Sequence, residues 1–152
     1  MLEKLKEAYR LMELANSIGK KFHDDGPEGL KIFQVDGPTI RNNILADFIA
    51  GGHHLVYDFI PENEIWIEYE HSVDEQRKIL AHELVERMLM KHHGMRYIEA
   101  HNKANKVETQ LRSSDDNPDK ILDIFNKFCH ENFKKPELQN MGRQLTLAYL
   151  SY

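Results

Sequence analysis

The chain has 152 residues, 41% of them hydrophobic, which is the make-up of one ordinary globular domain and excludes a disordered or fibrous chain. Its 20 basic and 25 acidic residues give a net charge of −5, against the basic excess of a general nucleic-acid binder, so no nucleic-acid partner is expected. No apolar run has the roughly 18 residues of a membrane span, the charged Met1–Glu7 segment is no secretory signal, and the lone Cys129 points to a reducing, cytoplasmic setting.

Residues 2 to about 22 carry Leu2, Leu5, Tyr9, Met12 and Ala15 at helical spacing. His23–Gly29 is dense in turn formers and predicts a loop. Leu30–Val35 is short and β-prone, and residues 39–50 predict a helix ended by Gly51-Gly52. His54–Ile60 and Glu64–Tyr69 predict two strands of a hairpin. The second alternates, with Ile65, Ile67 and Tyr69 on one face and Glu64, Trp66 and Glu68 on the other.

Ser72-Val73-Asp74-Glu75 fits a capping box that opens a helix running to about His92. His92-His93-Gly94 closes it, where protonated histidine suits the helix dipole. A second helix spans about Tyr97 to Arg112, and Ser113–Pro118 breaks the chain. Residues 119–133 and 137–150 read as two amphipathic helices separated by Pro136. The expected fold is α+β: one domain over 1–152, with a small antiparallel or mixed sheet packed on a helical hairpin. The hairpin belongs to a core at 54–112, and 113–152 forms a helical extension.

Most of the 9 histidines fall between residues 53 and 101. In Ala81-His82-Glu83-Leu84-Val85-Glu86, His82 and Glu86 stand at i and i+4, one turn apart on one helix face. Both can address one atom, with Glu83 rotated about 100° away beside it. With the region around Gly94 as the turn of a helical hairpin, Glu86 faces about residue 102 and His82 about 106. His101, Asn105 and Glu108 form the facing stripe. His101 is the best third ligand, and Glu108 is either a fourth ligand or the partner that orients His82.

His82-Glu83-x-x-Glu86 followed by His101-x-x-Ala104-Asn105 resembles the zincin metallopeptidases, most nearly the ImmA/IrrE type. That group carries His-Glu-x-x-His on one helix and Glu-x-x-Ala-Asn (or Asp) on the next; here the second and third ligand types are exchanged. The likeness covers about residues 54–112. Gly-Gly-His, Phe-Ile-Pro, Glu-Ile-Trp-Ile and His-Glu-Leu also resemble uncharacterised phage-associated zincin-like proteins. The resemblance implies zinc or another divalent metal on His82, Glu86 and His101, with Glu83 as general base. It also implies a peptide or protein substrate, held against an edge strand at Glu64–Glu68.

Other candidates each carry two readings. His53 either starts the strand or faces substrate. Tyr97, one turn before His101, either packs or donates to a reacting carbonyl oxygen. Cys129, beside His130 alone, reads as a buried inert thiol. Two rival functions stand beside the hydrolase. One is a non-catalytic zincin-like structural or interaction module of phage or mobile-element origin with a structural or decayed metal site. The other is a carboxylate-bridged di-metal protein, for which Glu68-Tyr69-Glu70-His71 has the Glu-x-x-His spacing.

Overall fold

A computed structural model describes residues 1–17 and 19–152, with the side chains of 15–17 left aside; the Ala15 member of the expected apolar stripe therefore lies outside the described residues. The fold is α+β. Its elements are α1 (Leu2–Ser17), β1 (Lys21–Asp25), a 3-10 turn at Pro27–Gly29, β2 (Lys31–Val35), α2 (Gly37–Asn43), β3 (Gly51–His53) and β4 (Glu64–Glu68). They are followed by α3 (Val73–His93), α4 (Tyr97–Arg112), α5 (Pro118–Asn132), α6 (Pro136–Gln139) and α7 (Gly142–Ser151).

The sheet is mixed, in the order β1-β2-β4-β3, with β2 and β4 parallel and the outer pairs antiparallel. All of β4 is buried, and its alternation divides two apolar clusters. Ile65 and Ile67 join Leu30, Ile32 and the helices α3–α7 on one face. Trp66 joins Val35, Ile40, Phe48, Phe59 and Ile60 on the other. Glu64 and Glu68, buried among that second set, are neutralised by Lys20 and Arg41, as buried carboxylates require.

α3 begins where the capping box places it: the Ser72 hydroxyl accepts from the Glu75 N–H. It ends at Gly94, left-handed at φ 66°. Between these ends every residue from Lys78 to Leu89 is buried. The helix has the sheet on one side and α4 and α7 on another, so its polar side chains must find partners inside the protein.

Several expected elements differ. The long first helix stops at Ser17, and Leu2, Leu5 and Tyr9 are exposed; Leu11 is the residue that packs on the second cluster. The expected loop at 23–29 contains the end of β1, which is bulged between Phe22 and Asp24. The helix expected over 39–50 is the short α2, capped by Asp36 accepting from the Thr39 N–H. The strand expected at His54–Ile60 is a folded loop, because its backbone bonds to itself. The His53 carbonyl accepts from Val56 and Tyr57 N–H, and Ile60 N–H donates to Tyr57. The strand lies three residues earlier, where close packing excludes side chains. A Cβ on Gly51 would sit 2.6 Å from the Trp66 carbonyl oxygen, and one on Gly52 would sit 2.4 Å from the Tyr57 ring. β4 is therefore central and not the edge strand expected, since β3 covers its second side. The helix expected over 137–150 is split into α6 and α7, with Gly142 seated against Asn126 of α5.

Among the described residues no helix is long and apolar enough to cross a membrane.

Two outcomes follow from this packing. Gly51→Ala should cost about 1–3 kcal/mol in urea unfolding, because the added methyl meets backbone and overpacks the joint between β3 and α3. Cys129 is fully buried and burial pushes its thiol up to about 12; a thiol reagent at pH 8 should modify it only after denaturation.

Candidate metal centre

His82, Glu83 and Glu86 lie within one turn of α3, and Gly94 returns the chain so that α4 runs back along it. That return brings His101 onto the His82/Glu86 pair. His82 Nε2 lies 3.1 Å from Glu86 Oε2, His101 Nδ1 lies 2.9 Å from the same oxygen, and the two ring nitrogens are 3.1 Å apart. Donors around a tetrahedral ion with bonds of about 2.0–2.1 Å stand roughly 3.3 Å apart. The three atoms thus form a triangle slightly smaller than a coordination face, and they fit a metal ion after a small outward shift. Two facing imidazole nitrogens can share one proton at most, whereas a cation satisfies both lone pairs and the carboxylate together. The buried His82 and Glu86 and the half-buried His101 form a group that can hold a metal ion.

The surroundings orient these donors. His82 turns Nδ1 toward Glu108, 3.5 Å from Oε1, which leaves Nε2 facing the triangle. Glu108 is held in turn by Arg112, which also grips Glu75. Burial works against a charged His82, yet the Glu108 and Glu86 carboxylates outweigh it and lift the ring to about 10. The Tyr97 ring lies over His101, with centroids 5.3 Å apart.

The two glutamates of the helix are driven apart. Burial alone would raise Glu86, but its hydrogen bonds with His53, His82 and His101 hold it well below the usual carboxylate range. Glu83 makes no hydrogen bond among the described residues; its nearest partner is His53 Nε2 at 3.9 Å. Burial, then the neighbouring Glu86 charge, push Glu83 up toward neutral pH. One carboxylate is a fixed anion and the other is poised to exchange a proton, the pattern by which paired acids take different roles.

Both face a cavity of about 450 Å³ lined by His82, Glu83, Glu86, His101, Asn105 and Glu108, with Tyr97 at the side. Ile49, Val56 and Tyr57 supply its apolar wall. Burial pushes the Tyr57 phenol up to about 12, so it stays a hydrogen-bond donor.

His82, Glu86 and His101 are therefore brought together, with Glu83 and Asn105 on the same cavity and Glu108 behind His82. His53 is brought in as well, but buried against Glu86 and not facing solvent. Tyr57 has no counterpart in the sequence reading, which placed it in a strand. Glu68 and His71 pair with each other, and Glu68 with Arg41; neither joins this cluster.

No protein-family model, curated protein or solved structure matches the chain.

A divalent ion held here stabilises the folded state by mass action, about 2.7 kcal/mol at a hundredfold excess over Kd. Differential scanning calorimetry should then show Tm rising by roughly 5–10 °C for a domain of this size. His82→Ala and His101→Ala should each remove the rise.

Proposed function

We propose that the protein is a zinc-dependent hydrolase of peptide bonds, built like a minimal zincin. One observation carries the reading: His82 Nε2, Glu86 Oε2 and His101 Nδ1 converge within 3.1 Å of one another, while Glu83 beside them is uncommitted and opens on the same cavity. Two imidazoles and one carboxylate are a donor set that suits zinc and leaves a fourth position open. Bound there, zinc supplies Lewis acidity, lowering the pKa of water and polarising a carbonyl.

The chain's own residues divide the rest of the work. Glu83, with its raised pKa, takes a proton from the attacking water as the water oxygen bonds to the carbonyl carbon. It returns that proton to the nitrogen as the C–N bond breaks. Glu108 keeps the His82 ring turned with Nε2 inward. Tyr97 and Tyr57 line the cavity and can donate to substrate oxygens. β3, terminal in the sheet and with Gly51 on the cavity wall, replaces β4 as the strand against which an extended peptide would lie, with its His53 carbonyl already taken by Val56 and Tyr57 N–H.

A non-catalytic metal-binding module is the second reading, because the same cluster of His82, Glu86 and His101 could hold a structural ion.

Glu83→Gln separates the two readings. Zinc should bind with unchanged stoichiometry, while cleavage of a mixed peptide library should fall at least ~100-fold. Wild-type protein that binds zinc yet leaves every peptide intact would transfer the assignment to the non-catalytic module. Cleavage undiminished in Glu83→Gln would remove Glu83 from the mechanism.

A further inference from the structure

His53 is completely buried on β3, and the hydrolase reading gives it no task. Its two ring nitrogens have different partners. Nδ1 lies 3.2 Å from the Leu55 backbone nitrogen, which donates to it. A nitrogen that accepts an N–H carries no proton of its own, so in the neutral ring the proton sits on Nε2. Nε2 is 2.9 Å from Glu86 Oε1, and Nε2–H therefore donates to that oxygen. Glu83 Oε2, at 3.9 Å, is too far to compete.

A second metal site can be drawn around the same residues, because His53, Glu83 and Glu86 also cluster. It would need the Nε2 lone pair for the ion and a proton on Nδ1. That proton would point at the Leu55 N–H, donor against donor. The turn after β3 thus sets the His53 tautomer and disfavours a second ion.

We propose that His53 is a positioning residue for the metal ligand Glu86, and that the centre holds one ion. This rests on the metal-binding reading above. The terminal torsion of a glutamate is broad, and a carboxylate can bind an ion through one oxygen or both. With Oε1 held by His53, Oε2 alone is presented to His82 Nε2 and His101 Nδ1. The carboxylate would then offer an ion one oxygen beside the two imidazole nitrogens. Glu83, with no second ion to bind, keeps its lone pairs for the proton. His53 also ties the ligand helix to the strand at the cavity edge.

Two measurements test this. The first is a long-range proton–nitrogen NMR spectrum of the imidazole rings in the native protein, recorded without metal and with zinc chloride. His53 should appear as the Nε2–H tautomer in both. The second is calorimetric titration with zinc chloride of the wild type, His53→Ala and His53→Gln. Wild type should bind one ion, His53→Ala should bind about 10–100-fold more weakly, and His53→Gln, whose side-chain amide can still donate to Glu86, should recover most of the loss. An Nδ1–H tautomer, a second ion lost on substituting His53, or equal affinity in wild type and His53→Ala would each overturn the proposal. If His53→Ala does not fold, the tautomer and the His53→Gln affinity decide it. A wild type that binds no ion would remove the metal reading and the positioning role with it. One that binds an ion regardless of His53 would remove the positioning role alone.

Discussion

The enclosure of α3 governs the rest of the structure. A helix buried on every side along Lys78–Leu89 cannot leave charge unpaired, because an isolated buried charge costs several kcal/mol. Most of its polar side chains therefore fasten a neighbouring element, and Glu83, with no hydrogen-bond partner among the described residues, is pushed toward its neutral form instead. Lys78 meets Asp74 and, before α5, Asp116, and lies over the Tyr149 ring of α7. Arg87 meets Glu28 in the 3-10 turn and the Glu62 carbonyl. Gln76 accepts from the Tyr152 hydroxyl and from Gln34 of β2. Glu86 draws His53 from β3 and His101 from α4. The candidate centre is one of these fastenings. It differs in that two imidazole nitrogens and a carboxylate oxygen face one another, an arrangement that could also hold a cation.

The same enclosure explains how one turn of helix holds two acids of opposite character. Glu83 and Glu86 sit in similar burial, yet Glu86 is ringed by three imidazoles and Glu83 by none within hydrogen-bond reach. The difference is angular. Three residues along a helix amount to a turn short by about 60°. That is enough to aim Glu86 between β3 and α4 and to leave Glu83 leaning on the cavity. The division of roles follows from where the neighbouring elements cross.

The helical hairpin was legible because its signals are local. Ser72 and Glu75 mark the start of α3, Gly94 marks its end, and the i, i+4 spacing of His82 and Glu86 is fixed by helix geometry alone. Equal counting on either side of Gly94 then brings His101 and Glu108 opposite, which is close to what the contacts give. The sheet was less legible because strand order depends on distant partners. Gly51-Gly52 has the look of a helix terminator. What makes it a strand is the Trp66 carbonyl, Ile79 and the Tyr57 ring standing where Cβ atoms would go. The apolar run after it resembles a strand, yet Phe59 and Ile60 serve the second cluster from a loop closed on His53. His53 itself was visible as part of a glycine-flanked pair of histidines. Its bond to Glu86, 33 positions away, depends on β3 pairing with β4, and no local periodicity encodes that.

Moving the edge of the sheet from β4 to β3 changes what the resemblance to zincins asks of the chain. A central β4 has both backbone edges occupied and can offer nothing to an extended partner. β3 is only three residues long, but it is terminal in the sheet and Gly51 borders the cavity. Its far end is His53, bonded to the carboxylate of the candidate centre. A strand so short would be a poor platform alone, since its pairing with β4 is brief and Ala50 before it is held at φ 65°. The buried His53–Glu86 bond compensates by joining the strand to the most enclosed helix of the fold. The strand at the cavity edge and the donor triangle are thereby joined at three points, the His53–Glu86 bond, the packing of Gly51 against Ile79 of α3 and the pairing of β3 with β4.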